Sequence, residues 1–183
     1  MGVSIKRRSA ESVLGVDPST KTGIVVLGKD GEVFFKEEYG SGKVEAGNSK
    51  SRIDRALSHG KKIRSIIDIW HPVLMVVEGY GYANTNTLAL LVEIGAAIRF
   101  CAVHREVPFV EVPPNSLKKF VTGNGVAKKD HMLLATYKRW KFETESDNVC
   151  DAYGLARVGW CILGVPPANA GEREAVAKLK SGK

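Results

Sequence analysis

Three acidic side chains stand where apolar runs end or a helix begins. Asp17 closes the run VLGVD, Glu78 closes the run VLMVVE, and Asp151 lies in the stretch SDNVCDAYGLA. If the two runs are neighbouring strands, their carboxyl ends place Asp17 and Glu78 side by side. Carboxylates packed together repel one another and raise one another's pKa, so folding tolerates such a cluster best when cations occupy it.

These acids predict a site for hard divalent cations. Oxygen ligands without a set of cysteines or histidines favour Mg²⁺ or Mn²⁺. Two such ions about 3.5–4 Å apart activate water and stabilise the leaving oxygen in phosphodiester hydrolysis. Taken singly, Asp17 fits ordinary turn chemistry, and an aspartate at a helix start fits a cap. The joint pattern favours the metal site.

The ligand beside Asp151 stays open between two residues. Asp147 precedes Asp151 by four positions and Asn148 precedes it by three, so each shares a helix face with Asp151. A full charge holds Mg²⁺ better than an amide oxygen does, which favours Asp147. Asn148 remains the alternative, as a weak ligand through its amide oxygen.

The pattern of apolar residues predicts the elements that position these acids. Five strands are expected at 13–17, 23–28, 32–39, 73–78 and 108–112. Helices are expected at 53–70, 88–104, 115–121 with Asn115 as its cap, 127–140, and from Asp147 to the break at Gly164. The fold class is therefore α/β, with a five-stranded mixed sheet of three antiparallel and then parallel strands, and helices on both faces. This order is the ribonuclease H-like arrangement.

Length and composition predict a single folded domain. The chain has 183 residues, which favours one core. We expect a flexible basic tail at 1–11, the nuclease-like domain at 12–168 and a polar tail at 169–183. Three cysteines form no CxxC pair, which is typical of a reducing cytoplasm. No apolar run of about 18 residues predicts a membrane span, so no membrane partner is expected.

The charge balance favours a polyanionic partner. The net charge is +7, and a basic chain commonly binds nucleic acid. An ordinary solvated surface is the alternative, but the basic residues fall in clusters. The clusters are Lys6 to Arg8, Lys118 with Lys119, Lys128 with Lys129, and Lys138 to Lys141.

Four stretches carry a resemblance to a known family. They are LGVDPSTKTG, MVVEGYGY, VPPNSLKKFVTGNGVAKKDHM and SDNVCDAYGLA, which together span about residues 13–161. The chain resembles RuvC-type Holliday junction resolvases. The resemblance implies a homodimeric endonuclease that cuts two strands of like polarity symmetrically at a four-way DNA junction. It implies two Mg²⁺ ions per active site, with Mn²⁺ as a substitute. It also raises a branch-migration helicase as a partner, which nothing in the sequence identifies.

The resemblance implies roles for individual residues. Asp17, Glu78 and Asp151 match metal-binding acids, whereas Asn148 stands where the family has a fourth acid, which keeps Asp147 and Asn148 both open. Lys118 and Lys129 match basic residues near the scissile phosphate, and Lys129 is the better candidate to contact the phosphate or the attacking water. The expected DNA-binding set is Lys118, Lys119, Lys128, Lys129, and either Tyr80 or Tyr82 stacking on unpaired bases. The helix at 88–101 would form part of the dimer interface.

Three other functions compete with this hypothesis. A ribonuclease H would cut RNA in a hybrid as a monomer, but the GNG-plus-lysine stretch fits a resolvase better. The hairpin GVDPSTKTG also resembles that of actin-like and sugar-kinase ATPases, which normally have two such domains. A junction-binding protein without catalysis is favoured only by Asn148, and Asp147 offsets that argument.

Overall fold

The computed structural model describes residues 11–41, 48–80 and 85–181, with the backbone alone described at 85–87. The strands are β1 (Ser12–Asp17), β2 (Thr22–Gly28), β3 (Val33–Tyr39), β4 (Leu74–Glu78) and β5 (Phe109–Val112). The helices are α1 (Ser49–Trp70), α2 (Thr85–His104), α3 (Pro114–Thr122), α4 (Lys129–Trp140), α5 (Asp147–Ile162) and α6 (Ala170–Lys180). The expected basic tail lies outside the described residues, apart from Glu11.

The five strands form one mixed sheet in the order β3-β2-β1-β4-β5. β1 pairs antiparallel with β2, and β2 pairs antiparallel with β3. β4 lies parallel to both β1 and β5. This topology confirms the predicted mixed sheet, including the prediction that the first and fourth strands are neighbours.

Helices cover both faces of the sheet, as the sequence predicts. Along the central strand, Leu14 and Val16 pack under α1 and α2, while Val13 lies in the core beneath α5. This alternation follows from the two-residue period of a strand. Gly15 and Asp17 therefore point to the same face as Val13, the face that α5 covers.

Two glycines let α5 lie directly on the sheet. A Cβ atom on Gly15 would come within 2.0 Å of the carbonyl oxygen of Ala152, and one on Gly23 would come within 1.9 Å of the carbonyl oxygen of Asn148. Both contacts are with helix backbone, which cannot move aside as a side chain can. The missing side chains therefore set how closely the first turns of α5 approach β1 and β2.

Three local expectations differ from the structure. Asn115 is not a cap, because Pro113 is the N-cap of α3 and Pro114 its first residue; proline suits that position because its missing N–H has no partner there. α4 begins at Lys129 rather than at Ala127. The segment expected as a polar tail contains α6, which buries Ala175 and Val176 in the core beneath α5.

The described cysteines, Cys101, Cys150 and Cys161, are free thiols. Cys150 and Cys161 are buried, which agrees with their expected use as small apolar residues. Among the helices of the described ranges, none combines the length and the apolar character needed to cross a bilayer.

Candidate active site

The ends of two parallel strands bring Asp17 and Glu78 together. Val16 lies opposite Val77 in the β1–β4 register, so the next residue of each strand is also a neighbour. Asp17 is 6% exposed, and its carboxyl lies close enough to that of Glu78 for each to shift the pKa of the other. The structure thus places this pair as the sequence predicts, at one edge of the sheet and on the α5 face.

The first turns of α5 add two more acids. Ser146 is the N-cap, and Asp147 is the first helical residue. The charge of Asp151 acts on Glu78, and the charges of Asp17 and Asp147 act on Asp151. Asp151 therefore interacts electrostatically with each of the other three predicted acids, and it links the strand pair to Asp147.

The protein environment disfavours ionisation of this cluster. Burial, with the charge of Asp151 added, raises the pKa of Glu78 to about 7. Burial, with the charges of Asp17 and Asp147 added, likewise raises the pKa of Asp151 to about 7. The pKa of Asp17 is raised well above its ordinary range by burial and then by the charge of Glu78.

The donor chemistry of the cluster fits a hard cation. Across the described part of the chain, no three acidic, histidine or cysteine side chains already converge as a finished metal site. Asp17 and Glu78 nevertheless lie side by side at the strand ends, and the charge of Asp151 acts on Glu78. A divalent cation bound between these side chains would be held by carboxylate oxygens, which are the ligands that Mg²⁺ and Mn²⁺ prefer.

Two of the four predicted lysines act on this cluster. The Lys129 ammonium lies 2.9 Å from an Asp147 oxygen, and its side chain is 80% exposed. The hydrogen bond and charge of Asp147 raise the pKa of Lys129. The charge of Lys118 lowers the pKa values of Glu78 and Asp151, against the larger effect of burial.

The other two lysines are placed differently. Lys119 forms an ion pair with Glu174 of α6, a residue to which the sequence analysis gave no role. Lys128 is the N-cap of α4, is exposed and makes no side-chain capping bond. The structure therefore groups Lys118 and Lys129 with the acids, but it gives Lys119 a partner on a different helix.

Asn148 faces a residue that the sequence analysis missed. Its Nδ2 donates to Glu38 Oε1 at 3.1 Å, and the Ser146 hydroxyl donates to the same oxygen. Glu38 lies on β3 opposite Gly23, which itself lies opposite Asp17. The alternation of EVFFKEEY puts Glu38 on one face of β3, but only the register across β2 reveals which helix that face meets.

The turn that follows Asp17 is supported from the opposite face of the sheet. Thr22 Oγ1 lies 2.7 Å from His59 Nδ1 of α1, and the Thr22 hydroxyl also reaches the carbonyl oxygen of Ser19 at 3.0 Å. His59 is 1% exposed, and burial lowers its pKa to about 4. A neutral histidine therefore fixes the start of β2, next to the residue that pairs with Asp17.

The two candidate stacking tyrosines have different outcomes. Tyr80 is 51% exposed, and the Arg99 guanidinium lies 4.4 Å from its ring centre. Arg99 also donates to the backbone oxygen of Glu78 at 3.1 Å, which ties the tyrosine to the end of β4. Tyr82 lies outside the described residues, so the choice between the two stays open.

The sheet order and the acid cluster define the class of this protein. A ribonuclease H-like sheet with carboxylates from its first strand, its fourth strand and its last core helix is the architecture of metal-dependent nucleases. The family model for "Crossover junction endodeoxyribonuclease RuvC" matches residues 13–158. The chain belongs to the RuvC family.

Individual relatives agree with this assignment. The RuvC of Synechococcus sp. strain WH7803 is 30% identical over 152 residues, which cover 81% of this chain and 97% of the relative. The RuvC of Synechococcus sp. strain CC9311 is 31% identical over 158 residues, with the same coverage. The structure of Thermus thermophilus RuvC with a Holliday junction substrate is 19% identical, superimposes with a TM-score of 0.68, and covers 80% of this chain and 90% of that one. The structural match supports the ribonuclease H-like fold.

Proposed function

We propose that this protein is an endonuclease that resolves four-way DNA junctions by paired, symmetric hydrolysis of phosphodiester bonds. One observation carries the proposal: in a chain of the RuvC family, Asp17, Glu78 and Asp151 lie together beside Lys129 at one sheet edge. Relatives that bear the name crossover junction endodeoxyribonuclease cover most of the chain.

We further propose that the cluster holds two Mg²⁺ ions, or Mn²⁺ in their place. Asp17, Glu78, Asp151 and Asp147 would be the ligands, because Asp151 interacts with each of the other three and, within the described part of the chain, lysines are the only cations that act on them. Bound ions of this kind supply an activated water and charge stabilisation at the leaving oxygen. The elevated pKa values of the carboxyls favour this proposal. Burial is their largest cause, the charges of neighbouring acids add to it, and a bound cation would relieve that repulsion.

Lys129 is proposed to act on the DNA rather than on the ions. Its ammonium lies 2.9 Å from an Asp147 oxygen. If Asp147 held an ion, the Lys129 ammonium would be free for another partner, since its side chain is 80% exposed and lies next to the acids. It would then hold the scissile phosphate or orient the attacking water. Lys118 would add positive charge on the same side.

The rest of the DNA contact is proposed to come from positive charge and one aromatic ring. Lys128 and the segment 122–125 stand next to Lys129 in the chain, and backbone phosphates favour such a basic surface. Tyr80 is half exposed at the end of β4 and is available to stack on an unpaired base, a contact typically worth about 1–3 kcal/mol. Lys119 would join this surface only by leaving Glu174.

We also propose that the protein works as a homodimer in the cytoplasm. Symmetric cleavage needs two active sites, and α2 exposes the large apolar side chains Val92, Phe100 and Val103. A cavity of about 690 Å³ lies between α1 and α2, with Leu57, Ala97 and Phe100 among its lining residues. A second copy would cover these apolar residues, and the free thiols suit a reducing compartment.

Cleavage assays test this proposal. Mobile and fixed four-way junctions are incubated with the protein in Mg²⁺ and in chelator, and the cuts are mapped at nucleotide resolution. We expect paired cuts at symmetric positions in two strands of like polarity, in Mg²⁺ only. Cleavage of an RNA–DNA hybrid without junction cleavage would favour a ribonuclease H instead. Junction binding without any cleavage would favour a purely binding protein.

A further inference from the structure

The first turn of α5 is held by a carboxylate that is not among the proposed metal ligands. Glu38 accepts hydrogen bonds from the Ser146 hydroxyl and from Asn148 Nδ2, and the Lys21 ammonium lies 3.6 Å from its other oxygen. We call these four residues the Glu38 cluster. Ser146 Oγ also accepts from the backbone amide of Val149 at 3.2 Å. Glu38 therefore binds the residue that caps the helix and a residue of its first turn.

The sheet register explains why Glu38 reaches this turn. Asp17, Gly23 and Glu38 lie opposite one another on β1, β2 and β3, so they share one face of the sheet. Since strands lie about 4.8 Å apart, Glu38 and Asp17 are about 10 Å apart across Gly23. The backbone of Asn148 rests on Gly23. The helix start therefore lies between two acids, one on each side.

Asn148 is oriented by Glu38. An ionised carboxylate only accepts hydrogen bonds, so it fixes the amide of Asn148 with its NH₂ group toward β3. Hydrogen bonding by Ser146 lowers the pKa of Glu38, and Asn148 and Lys21 contribute to the shift. Glu38 stays ionised near neutral pH. An aspartate at position 148 would place a second negative charge next to the Glu38 carboxylate.

We propose that Glu38 is a positioning residue that fixes the first turn of α5, and that Asn148 is its hydrogen-bond partner rather than a metal ligand. This inference rests on the proposed nuclease function, because the same turn carries Asp147 and precedes Asp151 by one helical turn. Glu38 thereby sets where two of the proposed ligands stand. The fourth acid is then Asp147, on the Lys129 side of the turn.

A double-mutant cycle tests the pairing. In chelator, Asn148→Asp should lower the equilibrium ratio of folded to unfolded protein about tenfold, because two carboxylates then face each other. Adding Glu38→Gln should recover most of this loss, since the new carboxylate can accept from the introduced amide. The matched control is Glu37→Gln, because Glu37 is the adjacent acid and pairs with Lys62 instead; it should give no recovery. Additive effects of Asn148→Asp and Glu38→Gln would overturn the pairing.

Amide hydrogen exchange locates the effect. In Glu38→Ala, the backbone amides of Val149 and Cys150 should exchange about tenfold faster, while amides in the middle of α5 stay within about twofold of wild type. Uniform acceleration along α5, or none, would contradict a role confined to the first turn. This measurement needs no DNA and no activity.

Mn²⁺ binding and kinetics separate positioning from ligation. Asn148→Asp should leave the Mn²⁺ dissociation constant within about threefold of wild type; a tightening of tenfold or more would make position 148 a ligand site. In junction cleavage, Glu38→Ala should lower kcat with KM unchanged. If wild type does not cleave junctions but the cycle and the exchange results hold, the proposed function fails while the positioning role of Glu38 stands.

Discussion

Carboxyl groups lie on both sides of the first turn of α5, and their pKa values are shifted in opposite directions. On the β1–β4 side, Asp17, Glu78 and Asp151 lie together, and burial raises their pKa values. On the β3 side, Glu38 has two hydrogen-bond donors and an ammonium, and its pKa is lowered. Both groups occupy one sheet face, about 10 Å apart by strand spacing.

This difference distinguishes a carboxylate that stabilises the fold from the carboxylates that we propose as metal ligands. Glu38, whose oxygens have hydrogen-bond and charge partners, stabilises the fold. A buried group of like charges destabilises it, so the cluster is kept at a cost to folding. Strongly perturbed pKa values gathered at one place are a mark of functional sites. The comparison therefore favours the Asp17 side as the reaction centre.

The largest expected effect comes from disturbing the close contact between Gly23 and the first turn of α5, which lies between the two groups of acids. Gly23→Ala would place a Cβ atom 1.9 Å from the carbonyl oxygen of Asn148. We expect a loss of about 3 kcal/mol or more in the free energy of unfolding, because backbone must move. Urea unfolding measures it. Gly40→Ala is the control, since its Cβ would meet no atom closer than 3.6 Å; an equal loss in both variants would contradict the close approach.

Glu172 on α6 offers a third environment for a carboxylate, in which a buried acid pairs with an arginine. Glu172 is 3% exposed and forms an ion pair with Arg139, which also donates to the carbonyl oxygens of Phe120 and Val121. Glu172→Gln should lower the free energy of unfolding by about 3 kcal/mol, because it leaves a buried charge without its partner. Glu174→Gln, which removes an exposed acid of the same helix, should cost about 0.5 kcal/mol or less. Similar losses would mean that burial of Glu172 is unimportant.

Removing an acid from the cluster should have the opposite sign. The folded pKa of Asp151 is raised to about 7, so its contribution to stability is full below the unfolded value near 3.9 and is lost as pH rises to about 7. In chelator, Asp151→Asn should therefore gain on wild type by about 2 kcal/mol between pH 5 and pH 7.5, measured by urea unfolding.

The exposed Asp130 provides the control for this pH dependence. Asp130→Asn should show no such gain between the two pH values. A gain of equal size in both variants would attribute the effect to net charge rather than to burial. A loss of stability in Asp151→Asn at pH 7.5 would mean that this acid is already satisfied without a cation.

The smallest effect on folding is expected at Lys129. Its ion pair with Asp147 is largely exposed, and such pairs contribute about 0–1 kcal/mol. Lys129→Gln should therefore leave the free energy of unfolding within about 0.5 kcal/mol of wild type. Junction cleavage should fall about 10²-fold, because a cation at the reacting phosphate is lost. If Lys129→Gln lowers the free energy of unfolding but leaves cleavage intact, the role of Lys129 is structural rather than catalytic.

The positions of the acids could be predicted because each is tied to a local signal. Asp17 and Glu78 end apolar runs, and Asp147 follows a serine that caps a helix. Two parallel neighbours then bring the strand ends together without further information. The predicted sheet order is confirmed for the same reason.

The role of Glu38 could not be predicted because it depends on register across three strands. The pairing of β2 with β3 shifts between Val26 and Leu27, and one extra residue in a strand changes which side chains share a face. The packing of α6 likewise involves contacts between distant parts of the chain, such as the buried pair of Glu172 with Arg139. The expectation that Asn115 is a cap was wrong, because α3 begins earlier. Pro113 is its N-cap, and Pro114, which has no N–H group, is its first residue.

Asp17→Asn gives the most direct test of the central claim that the buried carboxylates form the reaction centre. The variant and wild type are compared for binding to a fixed four-way junction and for cleavage of it in Mg²⁺. We expect binding within about threefold of wild type and cleavage reduced by about 10²–10³-fold. Normal Mg²⁺-dependent cleavage by Asp17→Asn would contradict the assignment of the Asp17, Glu78 and Asp151 cluster as the active site.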